Sequence, residues 1–129
     1  MSGRTEQQMA ATAAELLPSP VTRELRTRYR ALPVMLRTSG LAATYAYIAA
    51  KGNGDDRLAD AYARVARGIR DRLRSQGLLS PEDTADHRAV LRALGAMDTP
   101  VYLRAAAEVS ALTIWMSRLA DALHQRDGS

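Results

Sequence analysis

The stretch TPVYLRAAAEVSALTIWMSRLADALHQ, residues 99–125, decides how the chain is organised. Tyr102, Ala105, Val109, Leu112, Met116, Leu119 and Leu123 follow one another at steps of three and four. That spacing puts all seven on one face of a long helix. A second apolar set, Leu103, Ala107, Ala111 and Ile114, falls on the other side. A helix apolar nearly all round needs neighbours on several sides. The pattern therefore predicts an all-α bundle of five to six helices, with the earlier ones packed around this C-terminal helix.

Composition agrees with a helical domain. At 129 residues and 47% hydrophobic, the chain is expected to form one domain, residues 1–129, with a single core. Aromatics are only 5% and Phe is absent, so Leu and Ala must fill that core. The absence of Cys excludes disulfides, thiol catalysis and cysteine metal sites, and fits a reducing cytosol. Arg4, Glu6 and Glu15 interrupt any signal-peptide pattern, and the uncharged stretch 38–50 is too short to span a bilayer. The expectation is a soluble cytoplasmic protein.

The net charge of +4 is unevenly spread. Residues 19–77 hold twelve basic and five acidic side chains, while the remainder holds six basic and nine acidic. The first region, at +7, is a candidate for a polyanion; the rest, at −3, is not.

Taken in order, Thr5 and Gln8 can form a capping box before a helix bearing Met9, Ala13 and Leu16. Pro18 stops that helix. Ser19-Pro20, Ser80-Pro81 and Thr99-Pro100 each read as an N-cap followed by proline at the first helical position. The second helix, about 20–38, carries Leu25, Tyr29, Leu32 and Leu36 in phase across Pro33, which predicts one kinked helix rather than two. Ser39-Gly40 ends it, and Leu41, Tyr45 and Ile48 continue in a short third helix. Gly52-Asn53-Gly54 is a turn. Asp55 is expected to cap a long fourth helix with Leu58, Tyr62, Val65, Ile69 and Leu73 inside, closed by Gly77. A fifth helix is expected from Pro81 to about Leu94.

Two arginine rows stand out. Arg23, Arg26, Arg30 and Arg37 share a sector of the second helix about 21 Å long at 1.5 Å rise per residue. Arg67, Arg70 and Arg74 form a similar row on the fourth. A solvated surface laced with pairs such as Glu24–Arg28 and Asp60–Arg64 would also produce such rows. Two rows in one basic region, with few acids between them, bring phosphate binding level with that reading.

Other chemistry is thin. His87 with Asp83, and His124 with Asp121, read as surface pairs, since a bundle metal site needs further inward-facing carboxylates. Glu108 flanks the apolar seam and is expected to be partly buried against an arginine or a hydroxyl. Gly52-Asn53-Gly54 lacks the rest of any nucleotide fingerprint. Tyr45 and Tyr62 are in phase with the core, which leaves Tyr47 as the one tyrosine open to stacking on bases. No enzyme, cofactor or metal is indicated by these residues.

The run Leu32-Pro33-Val34-Met35-Leu36-Arg37-Thr38-Ser39-Gly40-Leu41, continuing through Thr44-Tyr45-Ala46-Tyr47 to Lys51-Gly52, resembles the small helical subunit of the type III-B (Cmr) CRISPR effector complex. So do Tyr102-Leu103, Glu108, Trp115, Arg118 and Ala120 in the last helix. Ser39, Ser117 and Leu119 depart from that family's pattern. The resemblance implies a non-catalytic subunit that stacks on copies of itself beside other effector subunits. It would line the groove for guide and target RNA in antiviral defence, with no membrane or small-molecule partner. Arg23, Arg26, Arg30, Arg37, Lys51, Arg67, Arg70 and Arg74 are then the candidates for RNA contact, and Pro33, Gly40, Glu108 and Trp115 for structural roles. Two alternatives remain: a helix-turn-helix DNA regulator using the short helix, the turn and the fourth helix, or a helical protein-binding adaptor.

Overall fold

The computed structural model describes the backbone of residues 2–127 and the side chains of residues 6–124. Its helices are α1 (Ser2–Leu16), α2 (Arg23–Ser39), α3 (Leu41–Lys51), α4 (Arg57–Ser75), α5 (His87–Ala96) and α6 (Thr99–Asp127). A short 3-10 turn, Glu82–Thr84, precedes α5, and no strand occurs among the described residues. The all-α expectation holds.

The long C-terminal helix α6 is central: α1, α2, α3 and α4 all pack on it. Ala105, Val109, Leu112, Met116 and Ala120 are fully buried, while Tyr102, Leu119 and Leu123 are half-buried at the edges of the seam. The second apolar set behaves otherwise. Leu103 is 61% exposed, Ile114 36%, Ala107 lies open and only Ala111 is half-covered. All four neighbours gather on the Ala105–Met116 side, so α6 is sheathed on one side rather than all round.

Helix α2 runs unbroken across Pro33, with Leu25, Tyr29, Leu32 and Leu36 buried. It starts later than expected. The Ser19–Pro20 peptide is cis, Val21 is buried ahead of the helix, and Thr22 rather than Ser19 is the cap, accepting from the Leu25 amide at 3.2 Å.

Aspartates displace the other expected caps. Asp56, not Asp55, accepts from the Ala59 amide at 2.8 Å, and Asp98, not Thr99, from the Val101 amide at 3.1 Å. Ser80 does make a reciprocal box with Asp83, at 2.9 and 3.2 Å, but it opens the 3-10 turn; α5 begins only at His87, where Asp86 accepts from the Ala89 amide at 2.7 Å. A carboxylate satisfies the free amides and also complements the positive end of the helix dipole. At the N-terminus, α1 already begins at Ser2, and the Thr5 side chain lies outside the described ones.

Gly40 alone joins α2 to α3. Its amide donates to the Leu36 carbonyl at 3.1 Å, and its own carbonyl accepts from the Thr44 amide at 3.1 Å. Ending one helix and starting the next on one residue requires φ +90°, which favours glycine. The new helix then has free amides, and Tyr102 of α6 supplies a partner: its hydroxyl oxygen accepts from the Ala42 amide at 2.9 Å. Gly77, with φ +73°, closes α4. Leu78 donates back to the Leu73 carbonyl at 2.9 Å and Gly77 to the Arg74 carbonyl at 3.0 Å.

A closer approach occurs where α1 crosses α4. A Cβ on Gly68 would collide with the Leu16 side chain, which would have to shift. Arg57, Asp60, Ala63, Arg67, Asp71, Arg74 and Ser75 are exposed and leave the fourth helix open to solvent on its other side.

Candidate nucleic-acid interface

The first arginine row lies along the seam between α2 and α6. Arg26 Nε donates to Asp121 Oδ1 at 2.7 Å, and Arg30 Nη2 sits 3.2 Å from the same oxygen. The Arg26 hydrogen bond, with Arg30 adding its charge, holds the Asp121 carboxyl below the usual carboxylate range. Arg23 and Arg37, at the two ends of the row, are exposed and make no ion pair within 4 Å among the described residues. The row is present as expected, but half the charge of its middle is compensated by a carboxylate 95 residues away from Arg26 in sequence.

The second row follows the solvent side of α4. Arg67 and Arg74 are exposed, again with no carboxylate within 4 Å among the described residues. Arg70 between them is half-buried, and its Nη1 donates to the Tyr45 hydroxyl at 3.0 Å. A guanidinium can only donate, so the hydroxyl oxygen accepts there, and the same hydroxyl is hydrogen-bonded to His87 Nδ1 at 2.7 Å, in a direction set by the imidazole tautomer. Burial raises the Tyr45 pKa, with Arg70 partly opposing it. The chain Arg70–Tyr45–His87 thus ties α4, α3 and α5 together.

The remaining candidates divide between surface and structure. Lys51 is exposed, with its Nζ 5.6 Å from the centre of the Tyr47 ring. Tyr47 itself is half-buried, edge-on to Tyr62 at 6.0 Å. Tyr45 and Tyr62 are buried, as their phase predicts. Glu108 meets its expected arginine: Arg72 Nε donates to Glu108 Oε1 at 2.8 Å, with side chains 6% and 23% exposed. Trp115 and Pro33 are half-buried. The predicted Asp60–Arg64 pair forms at 3.0 Å.

Both histidines depart from the surface-pair expectation. His87 turns to Tyr45 rather than Asp83. His124 is buried, and its Nδ1 donates to the Val21 carbonyl at 3.0 Å, across 103 residues of sequence. Each has a carboxylate three or four residues before it in sequence, and a tertiary partner wins. Among the described residues no three metal-type side chains gather closely enough to hold an ion, and no helix is long and apolar enough to cross a membrane.

Sequence reasoning gave Asp121 the wrong partner and passed over Arg72 and Gly68. The first two pair across helices, which no local pattern reveals. Gly68 did carry a signal, a glycine on the buried side of a helix, where only a close crossing explains it.

Helix α4 would be the recognition helix of a helix-turn-helix. It instead buries Tyr62, Val65, Ile69 and Leu73 against three other helices, and Asp56 occupies the end where base contacts would form.

Fold and surface together define a small helical-bundle subunit with arginine rows on two of its helices. The family model of the CRISPR-associated protein (Cas_Cmr5) matches residues 4–123, nearly the whole chain. The chain belongs to that family, and is a small CRISPR-associated subunit of the Cmr (type III-B) system. No curated protein and no solved structure gave a match.

Proposed function

We propose that this subunit is a non-catalytic scaffold of a type III-B effector complex. Copies of it stack as an inner filament beside other effector subunits and contact the guide–target RNA duplex in antiviral defence. The family match over residues 4–123 carries the reading. Charge supports it: residues 19–77, net +7, build α2, α3 and α4, while the region richer in acids builds most of the rest. Phosphate contacts of this kind position a duplex without reading its sequence, which base pairing with the guide supplies. The histidines and Glu108 are engaged in joining helices, which favours a scaffold over a catalyst.

Purification of the tagged chain from its host at native expression tests this reading. The expected result is co-purification of other Cmr subunits with CRISPR RNA. Recovery of the chain free of both would overturn it.

A further inference from the structure

The two arginine rows are not equivalent. In the α2 row one carboxylate serves two guanidiniums, so Arg26, Arg30 and Asp121 together carry a single positive charge. A phosphate approaching them would have to displace Asp121 or lie beside it. The free members of that row, Arg23 and Arg37, stand about 21 Å apart along the helix at 1.5 Å per residue, with the half-compensated pair between them. In the α4 row the one side-chain partner of Arg70 is a neutral hydroxyl, so all three charges persist. Arg67 and Arg74 stand about 10 Å apart on the same helix. Asp71, on the same helix, is exposed and ion-pairs with neither.

The α4 row also stands on a well-anchored helix. Arg70 is held by Tyr45, which is 0% exposed, and α4 behind it is anchored by Val65, Ile69 and Leu73, each 0% exposed. Arg70 is thus ordered before a ligand arrives, while the exposed Arg67 and Arg74 side chains are free to adjust to a phosphate.

Resting on the RNA-contacting role proposed above, we infer that the phosphate backbone of the RNA duplex lies along α4, on Arg67, Arg70 and Arg74. The α2 arginines at its middle instead staple α2 to α6 through Asp121. Arg26 and Arg30 are then structural residues, although they sit in the longer and more conspicuous row.

The test uses the assembled effector complex with labelled target RNA, its affinity measured across a range of salt. One variant carries Arg67→Ala and Arg74→Ala in every copy of this subunit. The other carries Arg26→Gln, Arg30→Gln and Asp121→Asn together, which removes the staple without leaving a lone charge. Melting of each subunit and its incorporation are checked first. The α4 variant is expected to bind more weakly, with the slope of log affinity against log salt reduced by at least about 1.4, two contacts at roughly 0.7 each. The α2 variant is expected to keep wild-type affinity and slope while melting lower. Loss in the α2 variant alone, or in both variants, would overturn the assignment to α4 and leave the RNA-contacting role standing. Loss in neither would overturn the assignment and remove the charge support for that role.

Discussion

Arg72 of α4 donates from Nε to Glu108 of α6 at 2.8 Å, inside a helix interface where the arginine side chain is only 6% exposed. Its Nη2 is buried without a hydrogen-bond partner, so the pair is incompletely satisfied. Breaking such a pair from one side leaves a lone buried charge and typically costs about 3–5 kcal/mol. Glu108→Ala should therefore lower stability by an amount in that range, read as a denaturant midpoint shift. Replacing both partners at once, Arg72→Met with Glu108→Leu, should cost far less. A double variant as unstable as Glu108→Ala would show that the pair has a role beyond mutual neutralisation.

The crossing of α1 on α4 makes a sharper steric demand. Gly68→Ala should cost about 1–3 kcal/mol, as overpacking does, because its methyl group meets Leu16. Adding Leu16→Ala should relieve part of that loss, so the two substitutions should be non-additive in a double-mutant cycle. Strict additivity would place Leu16 elsewhere.

Tyr102 caps α3 from a different helix. Tyr102→Phe keeps the ring but removes the acceptor for the Ala42 amide, for an expected cost of about 0.5–1.5 kcal/mol. Amide hydrogen exchange should quicken at the start of α3 and little elsewhere. Unchanged exchange there would mean that water replaces the hydroxyl without loss.

Alkaline titration should be dominated by buried tyrosines. Burial raises Tyr29 and Tyr45 above their ordinary value, and Tyr62 to about 12, with Tyr47 beside it adding to the shift. A group whose folded pKa is raised contributes stability below its unfolded pKa, near 10, and loses it as pH rises through the folded value. Stability should then fall from about pH 10 upward, with the phenolate absorbance of these three tyrosines rising in step with unfolding rather than before it. Full ionisation of all five tyrosines in a still-folded chain would contradict this.

Much of this architecture is legible in the sequence. The 3.6-residue period found α6 and its buried residues, and the phase of Leu25, Tyr29, Leu32 and Leu36 rightly carried α2 across Pro33. Glu108 declared itself as one carboxylate in an apolar helix. Helix starts were misplaced because Ser, Thr and Asp all cap well, and the choice between neighbours such as Asp55 and Asp56 rests on a turn's geometry rather than its composition. Periodicity also could not tell which apolar residues of α6 would stay open, since Leu103 and Ile114 satisfy a helical pattern as well as buried ones do.

The candidate site was legible only as rows. Spacing along a helix shows which arginines share a face, but not that Asp121 closes over two of them from 95 residues away. Nor does it show that Arg70 leans on Tyr45. Those facts change which row is free, and they come from tertiary packing alone.

The most direct test of the scaffold role compares the effector complex assembled with and without this subunit, measuring target-RNA affinity and cleavage of bound target. The account predicts weaker, less salt-sensitive binding without it, while target that remains bound is still cut. Unchanged affinity and salt dependence, or lost cleavage with binding intact, would contradict it.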